Sequence, residues 1–229
     1  DTMFESGSLG KQFTSAGVMA LVEDGRLKLD ESVRAYLPDA PDTWQKVTLR
    51  HLLSHTSGIP DYPADMDFRK DYAEPDLLRL AYSLTLEFKA GARWNYSNTG
   101  YVVLGCIISK VTGAPYWEFL RQRIFDPAGM KTIRIISESD IVPHRASGYL
   151  PTETGFRNQD WVSPKLNTTA DGSLLLSLND MIAWNETVRN RRILKPESWS
   201  LMQGALTLNS GKSYPYGFGW FIDSAGGQT

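Results

Sequence analysis

This chain has little of several features that define common classes of protein. Its 229 residues contain a single cysteine, Cys106, and three histidines. A single cysteine excludes an internal disulfide framework and a cysteine-rich zinc site. The formal net charge is only −2, and the basic residues are scattered, so neither a nucleic acid nor an anionic membrane surface is expected as a partner. No apolar run approaches the ~20 residues of a membrane-spanning helix.

Two further kinds of site are not expected. His51 and His144 have no acidic or histidine neighbours at ligand spacing, so no metal site is predicted, and nothing indicates a cofactor. A Gly-x-Ser-x-Gly motif is absent, which argues against the nucleophile elbow of α/β-hydrolases. His55, in SHTSG, follows Leu52 and Leu53, and we interpret it as a helix-end residue that fixes a turn by hydrogen bonding, not as a triad base.

Helical periodicity, in contrast, is abundant. Apolar residues recur at helical spacing from Ser8 to about Asp24, and Cys106 lies in a second apolar segment, where we predict a buried packing residue. Shorter helices are predicted after Thr48, a candidate N-cap, and from Pro75 to Ser83. Further helices are predicted from Pro115 to before Pro127, at a capping box of Ser177 and Asp180, and after Pro196.

Strand signals are concentrated toward the end of the chain. Residues 132–170 alternate loosely and are predicted to form short strands and loops. The segment YPYGFGWFID, residues 214–223, is predicted to be an aromatic strand. Residues 59–74 are polar, aromatic and proline-bearing, which is typical of a surface loop.

Ser8 and Lys11 lie three residues apart where the first helix begins, so they share a helix face. A serine becomes nucleophilic when a neighbouring base takes its proton, and a lysine is such a base when burial or a nearby cation lowers its pKa. The helix N-terminus would also stabilise a developing oxyanion. The alternative is an N-cap serine beside a solvated lysine, and the pair taken alone favours this alternative.

Tyr96 and Asn98 lie two residues apart in WNYSNTGY, a polar turn that precedes an apolar helix. A phenol near a lysine ammonium is expected to have a lowered pKa and to act as a general base. An asparagine amide holds a substrate carbonyl and a lysine at once, since it carries both donors and an acceptor. The alternative is a helix-entry turn in which Asn98 caps the helix and Tyr96 packs.

Three segments together resemble the serine β-lactamase-like family: GSLGKQFTSAGVMALVEDGRLKLDESV, VTLRHLLSHTSGIP and WNYSNTGYVVLGCIISKVTG, with YGFGW also matching. That family includes class C β-lactamases, penicillin-binding D-alanyl-D-alanine carboxypeptidases, D-amino-acid peptidases and related esterases. The likeness runs from about residue 4 to residue 221. It implies an α+β fold, a helical cluster with an antiparallel sheet, in one domain over residues 1–229. Its helical region is expected at about 8–130 and a mixed region at about 131–229.

The resemblance also implies an acyl-enzyme mechanism. Ser8 would attack an amide, ester or β-lactam carbonyl, and its backbone N–H would form half of the oxyanion hole. Lys11 and Tyr96 would share the acid–base work, with either as the first base, while Asn98 would bind the substrate's acyl side-chain amide and brace Lys11. The implied partner is a small-molecule or peptide substrate, such as a D-amino-acid peptide, ester or β-lactam. The implied location is periplasmic or secreted.

The sequence departs from the family at both ends. The third family motif, Lys-Thr-Gly or His-x-Gly, does not occur before Thr229, and the strands that precede the Ser-x-x-Lys helix are missing. We therefore expect a truncated domain with an incomplete sheet and little or no hydrolysis by these residues alone. The motif is expected beyond Thr229 and any targeting signal upstream of residue 1.

Two questions stay open at this point. Lactamase, peptidase and esterase forms share the motifs above, so the loops 59–74 and 145–170 and the third motif are expected to select the substrate, with a peptidase or esterase favoured. A non-catalytic member is the second possibility. It would use the same cleft to bind peptidoglycan-type peptides or a protein partner.

Overall fold

The computed structural model describes residues 1–136, 140–163 and 169–223. Its α-helices are α1 (Gly10–Glu23), α2 (Leu49–Leu53), α3 (Glu74–Ser83), α4 (Asn98–Thr112), α5 (Tyr116–Leu120), α6 (Asp126–Ala128), α7 (Leu178–Arg189) and α8 (Pro196–Met202). Its strands are β1 (Met3–Glu5), β2 (Arg134–Ile135), β3 (Tyr149–Thr152), β4 (Gly155–Asn158), β5 (Leu174–Ser177), β6 (Leu206–Thr207) and β7 (Ser213–Tyr214). Within these ranges, no helix is both long and apolar enough to cross a membrane.

Helix α1 lies at the centre of the hydrophobic core. It is buried on every side from Gly10 to Leu21, because α4, α5 and α8 pack around it. Gly17 permits the close approach of α5, since a Cβ at this position would lie 2.5 Å from Cδ2 of Leu120. The sequence predicted an apolar face on this helix, and the structure extends the burial to its polar face. That polar face is where the site lies.

A three-stranded antiparallel sheet holds the start of α1. Its strand order is β1-β5-β2, and Met3 pairs with Ser177 while Arg134 pairs with Leu175. The expectation that no strand precedes the first helix was wrong: β1 is only three residues long, but it pairs with β5, which is buried along its whole length. Two further hairpins, β3–β4 and β6–β7, complete an α+β fold. The proposed regional division of the chain stays a prediction.

Several local predictions are confirmed. The Thr48 side chain caps α2, and Ser177 and Asp180 form a capping box at the start of α7. Helix α3 carries a proline in its first turn, at Pro75. Cys106 is buried, and its burial raises the pKa of the thiol to about 12, which fits a packing residue.

Pro127 does not end the helical segment that contains α5. Five residues in π-helical geometry, Arg121–Phe125, connect α5 to α6, and Pro127 lies in the first turn of α6. A proline is tolerated in a first turn because the backbone N–H it lacks has no partner there. The helix ends instead at Gly129, which has a left-handed backbone.

The predicted aromatic strand over residues 214–223 was wrong beyond Tyr214. Tyr216 and Phe221 form an isolated antiparallel bridge, and the N–H of Gly217 donates to the Trp220 carbonyl at 2.8 Å. Gly219, at a φ of +80°, closes this turn. The two glycines that the sequence places between aromatic residues allow the segment to fold back on itself. Tyr216, Trp220 and Phe221 therefore line a cleft beside Ser8.

Candidate active site

Ser8 lies between the sheet and α1, in a single 3-10 turn, Gly7–Leu9. The N–H of Ser6 donates to the Leu174 carbonyl at 2.7 Å, which ties the turn to β5. Gly7 adopts a φ of +50°, a conformation that favours glycine. Ser8 is thus held at the N-terminal end of α1 and does not cap it, since the structure gives no side-chain cap at this terminus.

Two of the predicted site residues, Lys11 and Tyr96, converge on the side-chain oxygen of a third, Ser8. Lys11 Nζ lies 3.2 Å from Ser8 Oγ, and the Tyr96 hydroxyl donates to the same Oγ at 2.8 Å. Lys11 comes from the next turn of α1, whereas Tyr96 lies just before α4. The alternative of a solvated lysine was wrong, because Lys11 is 1% exposed. The turn before α4 therefore brings a distant hydroxyl to the Ser8–Lys11 pair.

The Lys11 amine has three hydrogen-bond partners. Besides Ser8, it donates to Asn98 Oδ1 at 2.7 Å and to the backbone carbonyl of Asp171 at 2.6 Å. Burial lowers the pKa of Lys11 to about 8, against the opposing effect of the Asp171 and Asp61 charges, which raise it. A lysine with this pKa is neutral for part of the time near neutral pH, as a general base requires.

The pKa of Tyr96 moves in the direction opposite to the prediction. Nζ of Lys11 lies 5.0 Å from the centre of the Tyr96 ring, yet burial raises the pKa of the phenol. The hydrogen bond to Ser8 opposes this rise, and the nearby Asp171 and Asp61 charges add to it. Tyr96 is consequently a protonated hydroxyl donor in this state, not a phenolate.

Asn98 is held by an acidic residue that sequence reasoning missed. Asp61 accepts from the backbone N–H of Asn98 at 2.8 Å and from its side-chain Nδ2 at 3.1 Å. The cap of α4 is Ser97, whose Oγ accepts from Gly100, so the suggestion that Asn98 caps the helix was wrong. With its amide nitrogen toward Asp61, Asn98 turns its oxygen toward Lys11.

His55 supports the turn that carries Tyr96, as predicted. The N–H of Ser97 donates to His55 Nδ1 at 3.1 Å, and Nε2 lies 3.0 Å from the Tyr216 hydroxyl. The imidazole is 4.2 Å from the Tyr96 ring, centre to centre. Burial lowers the pKa of His55 to about 3, so it is neutral. Its backbone is left-handed, with φ at +57°, which places the ring under this turn.

A cavity of about 310 Å³ opens beside Ser8, on the side of Asn98. Tyr62 and Phe68 line it from the loop 59–74, which therefore forms part of the site and is more than a surface loop. The 169–173 segment also lines this cavity. A Cβ at Gly172 would lie 2.5 Å from the Gly7 carbonyl oxygen and 3.2 Å from the Ser8 nitrogen, so this glycine keeps the space beside the Ser8 N–H clear.

The sequence signals for the missed residues were weak but present. Asp61 and Tyr62 directly follow the HTSGIP segment that carries the family resemblance, and prolines stand on both sides of the pair. Asp171 and Gly172 precede the buried strand β5 in TADGSLLLS, and no motif marks them. Their part in the site depends on contacts between segments far apart in the chain, which local patterns do not report.

The class of protein is defined by a helical cluster on an antiparallel sheet, in which Lys11 and Tyr96 contact Ser8 and Asn98 contacts Lys11. The sequence model of the beta-lactamase family matches residues 1–229, and the chain belongs to that family.

Individual relatives agree with this assignment. The chain is 32% identical over 244 residues to penicillin-binding protein 4* of Bacillus subtilis, covering 98% of this chain and 53% of the relative. It is 30% identical over 237 residues to a D-aminopeptidase of Brucella anthropi, covering 100% and 44%. The crystal structure of a penicillin binding protein from Bacillus halodurans is similar with a TM-score of 0.84 and 26% identity, covering 99% of this chain and 71% of that one. The chain spans about half the length of these curated relatives.

Proposed function

We propose that the protein is a serine hydrolase that forms an acyl-enzyme on Ser8 and cleaves an amide, ester or β-lactam bond. The observation that carries the proposal is the convergence of Lys11 Nζ and the Tyr96 hydroxyl on Ser8 Oγ. A serine needs a base within hydrogen-bond reach, and this lysine has a lowered pKa of about 8. The relatives named for penicillin binding and D-aminopeptidase activity support the same chemistry.

In the proposed reaction, neutral Lys11 takes the proton of Ser8 as Oγ bonds to the substrate carbonyl carbon. The carbonyl π-electrons move to oxygen, beside the Ser8 N–H that Gly172 leaves accessible. When the tetrahedral intermediate collapses, the leaving group departs with a proton from the Tyr96 hydroxyl. Protonated Lys11 then returns a proton to the Tyr96 oxygen. Water then hydrolyses the ester by the reverse sequence. Lys11 is the first base in this scheme because the pKa of Tyr96 is raised while that of Lys11 is lowered.

Asn98 and the adjoining cavity would receive the acyl part of the substrate. Tyr62, Phe68 and Val162 line the cavity with aromatic and apolar surface, and Asn98 adds a polar group. This lining suits an acyl group with an apolar side chain and an amide or amine, as in a D-amino-acid peptide or amide. We favour peptidase or amidase chemistry over dedicated lactamase chemistry on the basis of the D-aminopeptidase relative.

The first test is covalent labelling. A fluorophosphonate or a penicillin should add its acyl or phosphonyl mass to the Ser8 peptide, as detected by mass spectrometry, and Ser8→Ala should abolish the adduct. Ser57→Ala is the matched control, because Ser57 is a buried serine that accepts from the Ile59 N–H, away from Lys11. Labelling that survives Ser8→Ala, or no adduct under any condition, contradicts the proposal and favours a binding module.

A substrate panel then separates the family's activities. Turnover of a chromogenic cephalosporin, p-nitrophenyl butyrate, a D-Ala-D-Ala peptide and a D-phenylalanine p-nitroanilide should be compared at one pH. We expect the D-amino-acid substrates to have the highest kcat/KM. A preference for the cephalosporin by tenfold or more would assign lactamase chemistry instead.

A further inference from the structure

Asp61 and Tyr62, which are adjacent in the chain, each contact one of the two residues, besides Ser8, that accept hydrogen bonds from Lys11. The carboxylate of Asp61 accepts hydrogen bonds from the backbone N–H and the side-chain Nδ2 of Asn98, at 2.8 and 3.1 Å. The Tyr62 hydroxyl donates to Asp171 Oδ2 at 3.1 Å. Asn98 Oδ1 and the Asp171 carbonyl are in turn 2.7 and 2.6 Å from Lys11 Nζ. The Lys11 amine has two acceptors besides Ser8, and each belongs to a residue that this dipeptide contacts. Asp61 contacts Asn98, and Tyr62 contacts Asp171.

The nature of these acceptors decides where the lone pair of Lys11 points. A neutral amine has two N–H donors and one lone pair. The Asn98 amide oxygen and the Asp171 carbonyl can only accept, so each takes one N–H. The lone pair then faces the remaining neighbour, Ser8 Oγ, whose O–H can donate to it. Two fixed acceptors therefore orient the base toward the nucleophile.

The orientation of Asn98 depends on Asp61. An asparagine amide can rotate by half a turn, which would exchange its oxygen and nitrogen. A carboxylate can only accept, so Asp61 keeps Nδ2 of Asn98 on its own side and leaves Oδ1 toward Lys11. If the amide were reversed, Nδ2 would face Lys11 and compete for the lone pair that Ser8 needs.

The backbone around the dipeptide is restrained. Pro60 and Pro63 flank it, and each proline limits its own φ and the conformation of the residue before it. The Ser97 hydroxyl donates to the Pro60 carbonyl at 3.1 Å, which joins the segment to the start of α4. Asp61 is thereby fixed relative to the neighbouring Asn98.

We propose that Asp61 and Tyr62 form a positioning unit that fixes the two acceptors of Lys11 and so aims the lone pair of its neutral amine at Ser8. The unit rests on the proposed function, since it prepares Lys11 to be the base. Neither residue touches the reacting oxygen. Both act through another residue, Asp61 through Asn98 and Tyr62 through Asp171.

A positioning role and a purely electrostatic role of Asp61 predict different effects of Asp61→Asn on the rate of Ser8 modification at high pH. The charge of Asp61 raises the pKa of Lys11. If charge were its only contribution, Asp61→Asn would lower that pKa, increase the neutral fraction of Lys11 and leave the rate at high pH unchanged. If Asp61 positions Asn98, the high-pH rate falls as well. The other charged or titratable groups that face Lys11 stay constant in this comparison: Asp171, Tyr96, Tyr101 and the neutral His55.

The first experiment measures phosphonylation of Ser8 by a fluorophosphonate as a function of pH. For Asp61→Asn we expect the acid limb to move to lower pH and the high-pH plateau to fall about tenfold or more. Asp65→Asn is the matched control, because it removes the same charge from an exposed position of the same loop. An unchanged plateau in Asp61→Asn overturns the positioning role. A thermal melt followed by circular dichroism verifies that each variant is folded.

The second experiment does not depend on turnover. The Lys11 pKa is read from its ¹³Cε chemical shift in lysine-labelled protein, with Lys11→Met assigning the signal. Tyr62→Phe removes no charge, so a fall in this pKa reports the loss of a well-placed acceptor. Tyr72→Phe, in the same loop but packed against the Leu77 and Cys106 cluster, should leave it unchanged. Equal pKa values in Tyr62→Phe and Tyr72→Phe overturn the proposal for Tyr62, whether or not Ser8 reacts. Absence of a Ser8 adduct in the unsubstituted protein counts against the proposed function alone.

Discussion

The two sides of Ser8 differ in chemistry. On one side lie Lys11, Asn98 and Asp171, joined by short polar contacts. On the other lies a cleft of about 360 Å³ whose walls include Tyr96 and Tyr216 and other aromatic residues. The polar side determines where protons and lone pairs point. The rings of Tyr96 and Tyr101 lie 5.0 and 5.4 Å from Lys11 Nζ, and burial lowers the pKa of Lys11 and raises that of Tyr96.

The largest expected effect tests the polar side. Lys11→Met keeps an unbranched chain of similar length but removes the base, so the rate at which Ser8 is phosphonylated should fall about 10³- to 10⁴-fold. The measurement is the second-order rate of fluorophosphonate labelling. Lys110→Met, at the last turn of α4, is the control and should label normally. A loss smaller than tenfold would mean that the base lies elsewhere. It would contradict the assignment of proton transfer to the polar side of Ser8.

Tyr96→Phe tests the hydroxyl that the aromatic side supplies. It keeps the ring against His55 but removes the O–H that donates to Ser8, so turnover should fall about 10²-fold. Since Tyr96 is assigned to leaving-group protonation, the loss should be larger for amides than for activated esters. Comparing an anilide with a p-nitrophenyl ester measures this difference. Equal losses on both substrates would contradict the assignment.

His55 links the aromatic side to stability in acid. Its folded pKa of about 3 lies below the ordinary 6.5, so the unfolded chain binds more protons between these values. The stabilisation from its neutral form is complete above pH 6.5 and is lost as the pH falls toward 3. Between pH 6.5 and 5 the loss from this group is about 2 kcal/mol. Urea unfolding at the two pH values should show it.

Two histidine variants isolate this contribution. His55→Gln should remove most of this pH dependence, because glutamine does not titrate. His144→Gln, at an exposed histidine, should leave it in place. If the two variants lose stability in acid to the same extent, His55 is not the group responsible.

Among the variants that change the rate of reaction, the smallest effect is expected at Gly172, which lies against the Gly7 carbonyl and the Ser8 nitrogen. An alanine there would bring a Cβ within 2.5 Å of the Gly7 carbonyl, and the turn that holds Ser8 would have to shift. We expect acylation to slow about tenfold, with a cost in stability of about 1–3 kcal/mol. Gly211→Ala, in an open turn with no atom near the added Cβ, tests whether a general loss of glycine explains the result. That variant has its own backbone cost, because its φ is +81°, but its acylation rate should be normal.

Much of the fold and part of the site could be predicted from the sequence. The first helix, predicted from Ser8 and observed from Gly10, depends on residues close together in the chain, which patterns report well. The same holds for the Thr48 cap and the Ser177 capping box. Those patterns failed where long-range pairing decides the outcome. The three residues of β1 become a strand only because β5 lies beside them, and the YGFGW segment turns back where its glycines allow it.

The same distinction between local and long-range contacts applies to the residues of the site. Ser8 and Lys11 share a helix face, so their contact follows from local geometry. The direction of the Tyr96 pKa shift did not follow from local geometry, because it depends on burial, which the sequence does not report. Asp61 was missed for a related reason: its function depends on Asn98, which lies far along the chain but adjacent in space.

The burial of Lys11 also affects how the protein should react with amine-directed reagents. A lysine with a pKa near 8 is a strong nucleophile at neutral pH, yet Lys11 is 1% exposed and its amine is enclosed by three partners. Acylating reagents should therefore modify exposed lysines such as Lys28 first, whose side chain is 77% exposed. Modification of Lys11 requires its contacts with Ser8, Asn98 and the Asp171 carbonyl to open. The labelling rate of this one amine would thus measure how often the site opens.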